Sequence, residues 1–182
     1  EGYRPRAPRE FKELPPIENT LSTATSLSDH LLWQLSSRQD DEATREIAAA
    51  IIGNLDDDGQ LVATTEEIAA MEPWSVEGVE RALEIVQHFD PVGVAARDLR
   101  ECLLLQLRHL GFAGTPTETI VADHLQLVQN HQLGGLAHRL GLSIDDVKQH
   151  IDVIRHLDPK PGSRYNPSSS QHVIPDVFVV KM

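Results

Sequence analysis

SVEGVERALEIVQHFDP, residues 75–91, decides the fold because the chain contains it twice: SIDDVKQHIDVIRHLDP, residues 143–159, aligns on it without gaps. Serine, the valine at the fifth position, histidine and Asp-Pro are identical, and Val76, Leu83 and Phe89 correspond to Ile144, Ile151 and Leu157. A serine ahead of apolar residues spaced three and four apart is an N-cap followed by an amphipathic helix. Asp-Pro ends that helix, because the residue before proline is pushed out of the helical region. Upstream, Ile68-Ala69 aligns with Leu136-Ala137. Each copy therefore predicts a short helix, a tight turn, a cap serine and a longer helix, a helix-turn-helix unit used twice. Trp74 aligns with Leu142 and is expected to pack internally.

Working outward, residues 1–25 hold Pro5, Pro8, Pro15 and Pro16 with little periodicity and read as a linker. Ser26, with Asp29 three residues on, caps a helix whose Leu27, Leu31, Leu32 and Leu35 share a face while Trp33 and Gln34 point elsewhere. Asp40, Asp41 and Glu42 open a second helix, striped by Ile47, Ala48, Ile51, Ile52 and Leu55 and ended by Gly53-Asn54. Thr64 or Thr65 caps a short helix through Ile68 and Met71, which Pro73 stops. A leucine-spined helix is expected from Ala95 to Leu110, then helices at 117–131, 135–140 and 143–157, with Gly134-Gly135 and Gly141 between them. VIPDVFVV, residues 173–180, reads as a strand. The expected fold is all-α: two small helical bundles, 26–110 and 116–160, followed by a linker and short extended segment over 161–182.

Of the 182 residues 40% are hydrophobic, enough for a packed core. Cys102 is the one cysteine, which excludes a disulfide within the chain, and no apolar run is long enough to span a membrane, so a cytoplasmic protein is expected. The net charge of -12 is uneven: residues 40–90 hold 14 acids and 2 bases, and the remainder 14 of each. Such a field repels phosphate backbones and favours a basic partner.

NLDDDGQLVATT, residues 54–65, has the early oxygens and the glycine of a calcium loop. Its twelfth position is Thr65, where a bidentate carboxylate is required, and its first is the uncharged Asn54. It therefore reads as an acidic turn between helices. His124, His131 and His138 fall at intervals of seven, no histidine pair has i, i+4 spacing, and neither a metal nor a cofactor is expected. With no phosphate loop and no nucleophile arrangement, no catalytic residue is assigned and an enzyme is not expected. The second recognition helix would present Asp145, Asp146, Lys148, Gln149 and Asp152, and the first Glu77, Glu80 and Glu84 against Arg81, poor surfaces for DNA. An isolated helix-turn-helix DNA-binding regulator nevertheless stays as the alternative, with Lys160 and Arg164 as its DNA-proximal candidates.

Four motifs resemble the sigma-54 class of bacterial RNA polymerase sigma factors: SLSDHLLWQL at 26–35, AIIGNLDDDGQL at 50–61, FDPVGVAARDLRECLLLQL at 89–107 and HLDPKPGSRY at 156–165. They run in family order across nearly the whole chain after the linker. The resemblance implies a core-binding region that docks on core RNA polymerase, with promoter DNA and an activator ATPase engaged by segments outside this chain. It implies too that residues 161–182 lead into a following DNA-binding region. The candidate polymerase contacts are His30, Leu32, Trp33 and Gln34; Asp56, Asp57 and Asp58; Asp90, Pro91, Val92 and Gly93; and Arg97. Trp33, off the leucine stripe, is the foremost anchor.

Overall fold

A computed structural model describes residues 25–165, so the expected linker before them and the expected strand at 173–180 lie outside the described residues. Among the described residues eight α-helices follow one another: α1 (Leu27–Ser36), α2 (Glu42–Gly53), α3 (Thr65–Ala69), α4 (Val76–Gln87), α5 (Leu99–His109), α6 (Pro116–Gln129), α7 (Leu133–Leu140) and α8 (Ile144–Arg155), with a 3-10 turn at Pro161–Tyr165. Among the described residues there is no sheet, only isolated bridges pairing Leu55 with Leu61 and Gln60 with Ala96.

Local chemistry sets most of the helix starts. Ser26, Asp41, Thr64, Ser75, Asp98 and Ser143 each accept the backbone N–H three residues on, at 2.8–3.2 Å. Such caps satisfy amide donors that the helix itself leaves unpaired. Two expected boundaries are corrected. The helix placed at Ala95 starts at Leu99, because Asp98 caps it and Ala95 takes φ 58°, outside the right-handed helical region. Gly134-Gly135 falls inside α7 rather than before it.

Burial divides the helices into two cores. Leu27, Leu31, Leu35, Ile47, Ile51, Ile68, Val79, Leu83 and Val86 from α1–α4 form the first, with Phe89 and Val94 beside them. Leu103, Leu107, Ile120, Val121, Leu136, Val147 and Ile151 from α5–α8 form the second, with Leu157 just beyond α8 beside them. Trp74 packs against the first core and Leu142 against the second, as their alignment implied. The leucine spine of α5, expected to close the unit 26–110, instead contributes Leu103 and Leu107 to the second core and packs on α6.

With α5 in that place, the repeat is longer than its helix-turn-helix halves. SLSDHLLWQL at 26–35 aligns with DLRECLLLQL at 98–107: both begin at a cap residue, and four leucines and a glutamine are identical. In each set the second helix packs on the first and fourth, and the third on the fourth.

Candidate functional site

Both copies fix their Asp-Pro in the same way. Gln34 on α1 receives the Asp90 backbone N–H at its Oε1 (2.9 Å) and donates from Nε2 to the Asp90 carbonyl (2.7 Å). Gln106 on α5 does the same for Asp158, at 2.8 and 2.6 Å. A primary amide is suited to this task, since it offers an acceptor and a donor side by side. Cys102 lies beside the second clamp, fully buried, and burial pushes its thiol up to about 11.

The acidic turn is a junction. The Asp56 carboxylate accepts the amides of Asp58 (3.0 Å) and Gln60 (2.8 Å), which folds residues 56–60 back on themselves. Its far side binds the segment after Pro91: Ala95 N–H donates to the Gly59 carbonyl (2.8 Å) and Leu61 N–H to the Ala96 carbonyl (2.9 Å). Its near side binds the chain leaving α8, where Gly162 N–H donates to the Asp58 carbonyl (2.9 Å) and Lys160 Nζ lies 2.8 Å from the Asp58 carboxylate. A Cβ on Gly162 would stand 2.5 Å from the Gly59 amide nitrogen, so this crossing admits no side chain. The strap 158–165 thus runs from the second core to the first.

Above the junction stands an aromatic ledge. His30 stacks on Tyr165 (ring centroids 5.1 Å apart) and on Trp33 (6.5 Å), and its Nε2 lies 3.2 Å from Asp90 Oδ2. Burial raises the Tyr165 phenol above its ordinary value, and the nearby Asp90 carboxylate adds to the effect. Trp33 is 68% exposed and Leu32 41%. Helix α2 supplies Glu42, Arg45 and Glu46 along a shallow groove beside Leu32.

The residues singled out in the sequence therefore fall into two groups. His30, Leu32 and Trp33 form a surface, and Asp57 is exposed at the tip of the turn. Gln34, Asp56 and Asp58 hold the architecture by the bonds just described. The Asp90–Pro91 peptide is cis, Pro91 is buried, and Gly93 at φ 95° packs against Cys102 and Gln106, while Val92 is half-buried. Arg97 donates to Glu101 (2.8 Å) and reaches Glu80 (3.3 Å). Burial pulls the Glu101 carboxyl upward, but the Arg97 side chain and amide outweigh it and the net shift is downward. Lys160 pairs with Asp58, and Arg164 lies 3.0 Å from Asp158. Sequence reasoning missed Gln106, Gly162 and Tyr165. The recurrence of Leu-Leu-x-Gln-Leu in LLLQL (103–107) after LLWQL (31–35) was the signal for the first; the other two lie within HLDPKPGSRY, where nothing local to them says what they touch.

The profile of the family described as "Sigma-54 factor, core binding domain" matches residues 16–182. The chain is similar to the RNA polymerase sigma-54 factor of Escherichia coli (strain K12), 37% identical over 176 residues that cover 93% of this chain and 36% of that protein. It is 39% identical to that of Pseudomonas aeruginosa (strain UCBPP-PA14) over 168 residues, covering 88% and 34%. RNA polymerase sigma-54 factor 1 of Bradyrhizobium diazoefficiens is 36% identical, with 90% and 34% covered. The chain thus spans about a third of the length of the curated relatives it matches.

Proposed function

The chain belongs to the sigma-54 factor family through its core-binding domain, and on that premise we propose that it docks on core RNA polymerase. The observation that carries this reading is the convergence of all four family motifs on one junction, which fixes the architecture under an exposed Trp33. Solvent-facing aromatics on a rigid base are what protein interfaces use as anchors. The acidic first unit suits a basic protein surface and would steer the encounter. Within a longer sigma-54 factor, the docked chain would let other segments recognise -24/-12 promoters and answer an activator ATPase. Its part is docking rather than catalysis, and it acts where bacterial polymerase acts, in the cytoplasm.

The helix-turn-helix DNA module is the less favoured reading. On α8, Lys148 and Arg155 pair with Asp145 and Asp152 of the same helix, and Lys160 and Arg164 are paired as well. Anisotropy titration of the labelled chain against core polymerase and against duplex DNA, each at several salt concentrations, separates the two. Docking predicts tight polymerase binding and no appreciable duplex binding; duplex binding with a steep salt slope and none to polymerase would overturn it.

A further inference from the structure

The glutamine clamp is common to both units, but the aromatic ledge is not. Where SLSDHLLWQL (26–35) aligns with DLRECLLLQL (98–107), His30 stands opposite Cys102 and Trp33 opposite Leu105. Cys102 is fully buried and Leu105 half-buried, whereas His30 is half-buried and Trp33 is 68% exposed. Gln106 holds the Asp158 peptide without a ring stack, since among the described residues the stacked rings are His30, Trp33 and Tyr165. The clamp architecture therefore does not call for the stack, and the stack occurs where a tryptophan faces solvent.

Tyr165 ends the strap, packs against the first core and stacks on His30 with the ring planes 23° apart and the centroids at 5.1 Å. His30 in turn stacks on Trp33 at 17° and 6.5 Å, within the range in which aromatic rings attract. The Nε2 edge of His30 is 3.2 Å from the Asp90 carboxylate, and the Gln34 clamp fixes the Asp90 peptide. His30 is thus held by the strap and by Asp90, while Trp33 stacks on His30 alone among the described rings. An exposed indole without such a neighbour spreads over several rotamers, and a partner that uses it must order it at a cost in affinity. We infer that Tyr165, acting through His30, is a positioning residue for Trp33, holding the indole in the orientation in which it anchors the polymerase; this rests on the docking reading above. Because Tyr165 belongs to the strap that joins the two units, the seating of the strap and the readiness of the anchor are linked, and a docked Trp33 stabilises the seated strap in return.

The test uses the whole chain carrying Trp74→Phe, which leaves Trp33 as the sole tryptophan. Two quantities are read, the fluorescence anisotropy decay of Trp33 and the affinity for core polymerase, with each variant checked for folding by thermal melting. Tyr165→Ala and His30→Ala should each quicken the nanosecond motion of Trp33 and weaken binding about threefold to tenfold. Tyr165→Phe keeps the ring and should match the parent chain in both. His30→Ala carries the same prediction if Tyr165→Ala does not fold. In a Trp33→Ala background, Tyr165→Ala and His30→Ala should lower the affinity no further, because their effect passes through the indole. Unchanged Trp33 motion in the folded alanine variants, or a loss of affinity that persists undiminished without Trp33, would overturn the inference while docking stands. If the folded parent chain does not bind polymerase at all, docking fails and the positioning role falls with it.

Discussion

Gln106 shows how much one side chain can hold. It is buried, and its amide satisfies both polar groups of the Asp158 peptide at 2.8 and 2.6 Å. Truncation to alanine strands an N–H and a carbonyl next to the second core, and the cost should be about 2 kcal/mol. Urea unfolding of Gln106→Ala checks this; an unchanged midpoint would show that water replaces the amide without loss. Gln34→Ala should cost less, since its partner Asp90 is exposed to solvent. The capping residues were legible in the sequence because a cap acts within three positions of itself. The glutamine clamps were not: Gln34 and Asp90 lie 56 residues apart in the chain, and nothing within α1 says which peptide its amide will hold. Trp33 was legible as an outward residue for the opposite reason, since helical periodicity alone puts it off the leucine face. Trp33→Ala is expected to weaken polymerase binding at least about tenfold and leave the melting temperature close to wild type. A variant that binds as wild type does would remove Trp33 from the interface.

Among elements, the strap is the most exacting. Gly162 crosses Gly59 backbone to backbone, and an alanine there must push the two segments apart. Gly162→Ala should lower stability by about 1–3 kcal/mol, as overpacking does. It should also release protection of the Gly162 amide in hydrogen exchange; retained protection would show that the crossing is looser than its geometry. Helix α5 illustrates the reach of periodicity. The Leu99-Leu103-Leu107-Leu110 spine announced a buried face, yet a spine does not say against what it is buried or where the helix stops: α5 went to the second core, and Leu110, at its C-cap, is exposed.

The Arg97–Glu101 contact at the head of α5 predicts a pH dependence. The folded Glu101 carboxyl sits below its ordinary value, so its stabilisation is fully present above the unfolded glutamate range and is lost as pH falls through the folded value. Glu101→Gln should therefore destabilise the chain at neutral pH and flatten the stability profile on its acid side. An unchanged profile between neutral pH and the glutamate range would contradict that role.

Across the whole molecule, charge and packing have separate duties. The excess of acid in residues 40–90 falls on α2–α4 and their turns, within the first unit, while the strap ties that unit to the second through Lys160 and Gly162. Charge asymmetry and the tandem helix-turn-helix units were visible in the sequence, since both are properties of linear segments. The junction was not, because it is assembled from four segments spread between residues 26 and 165. Asp56 and Asp58, which the sequence offered as outward charges, turned out to be committed to the backbone and to Lys160. Their acidity says less about a partner than that of Glu42, Glu46 and Glu84.

The most direct measurement is displacement of a labelled full-length sigma-54 factor from purified bacterial core RNA polymerase by this 182-residue chain. Docking predicts that the chain displaces the labelled factor stoichiometrically at saturation, and that Trp33→Ala needs at least about tenfold more protein to do so. A folded chain that leaves the labelled factor bound at every concentration would contradict the account.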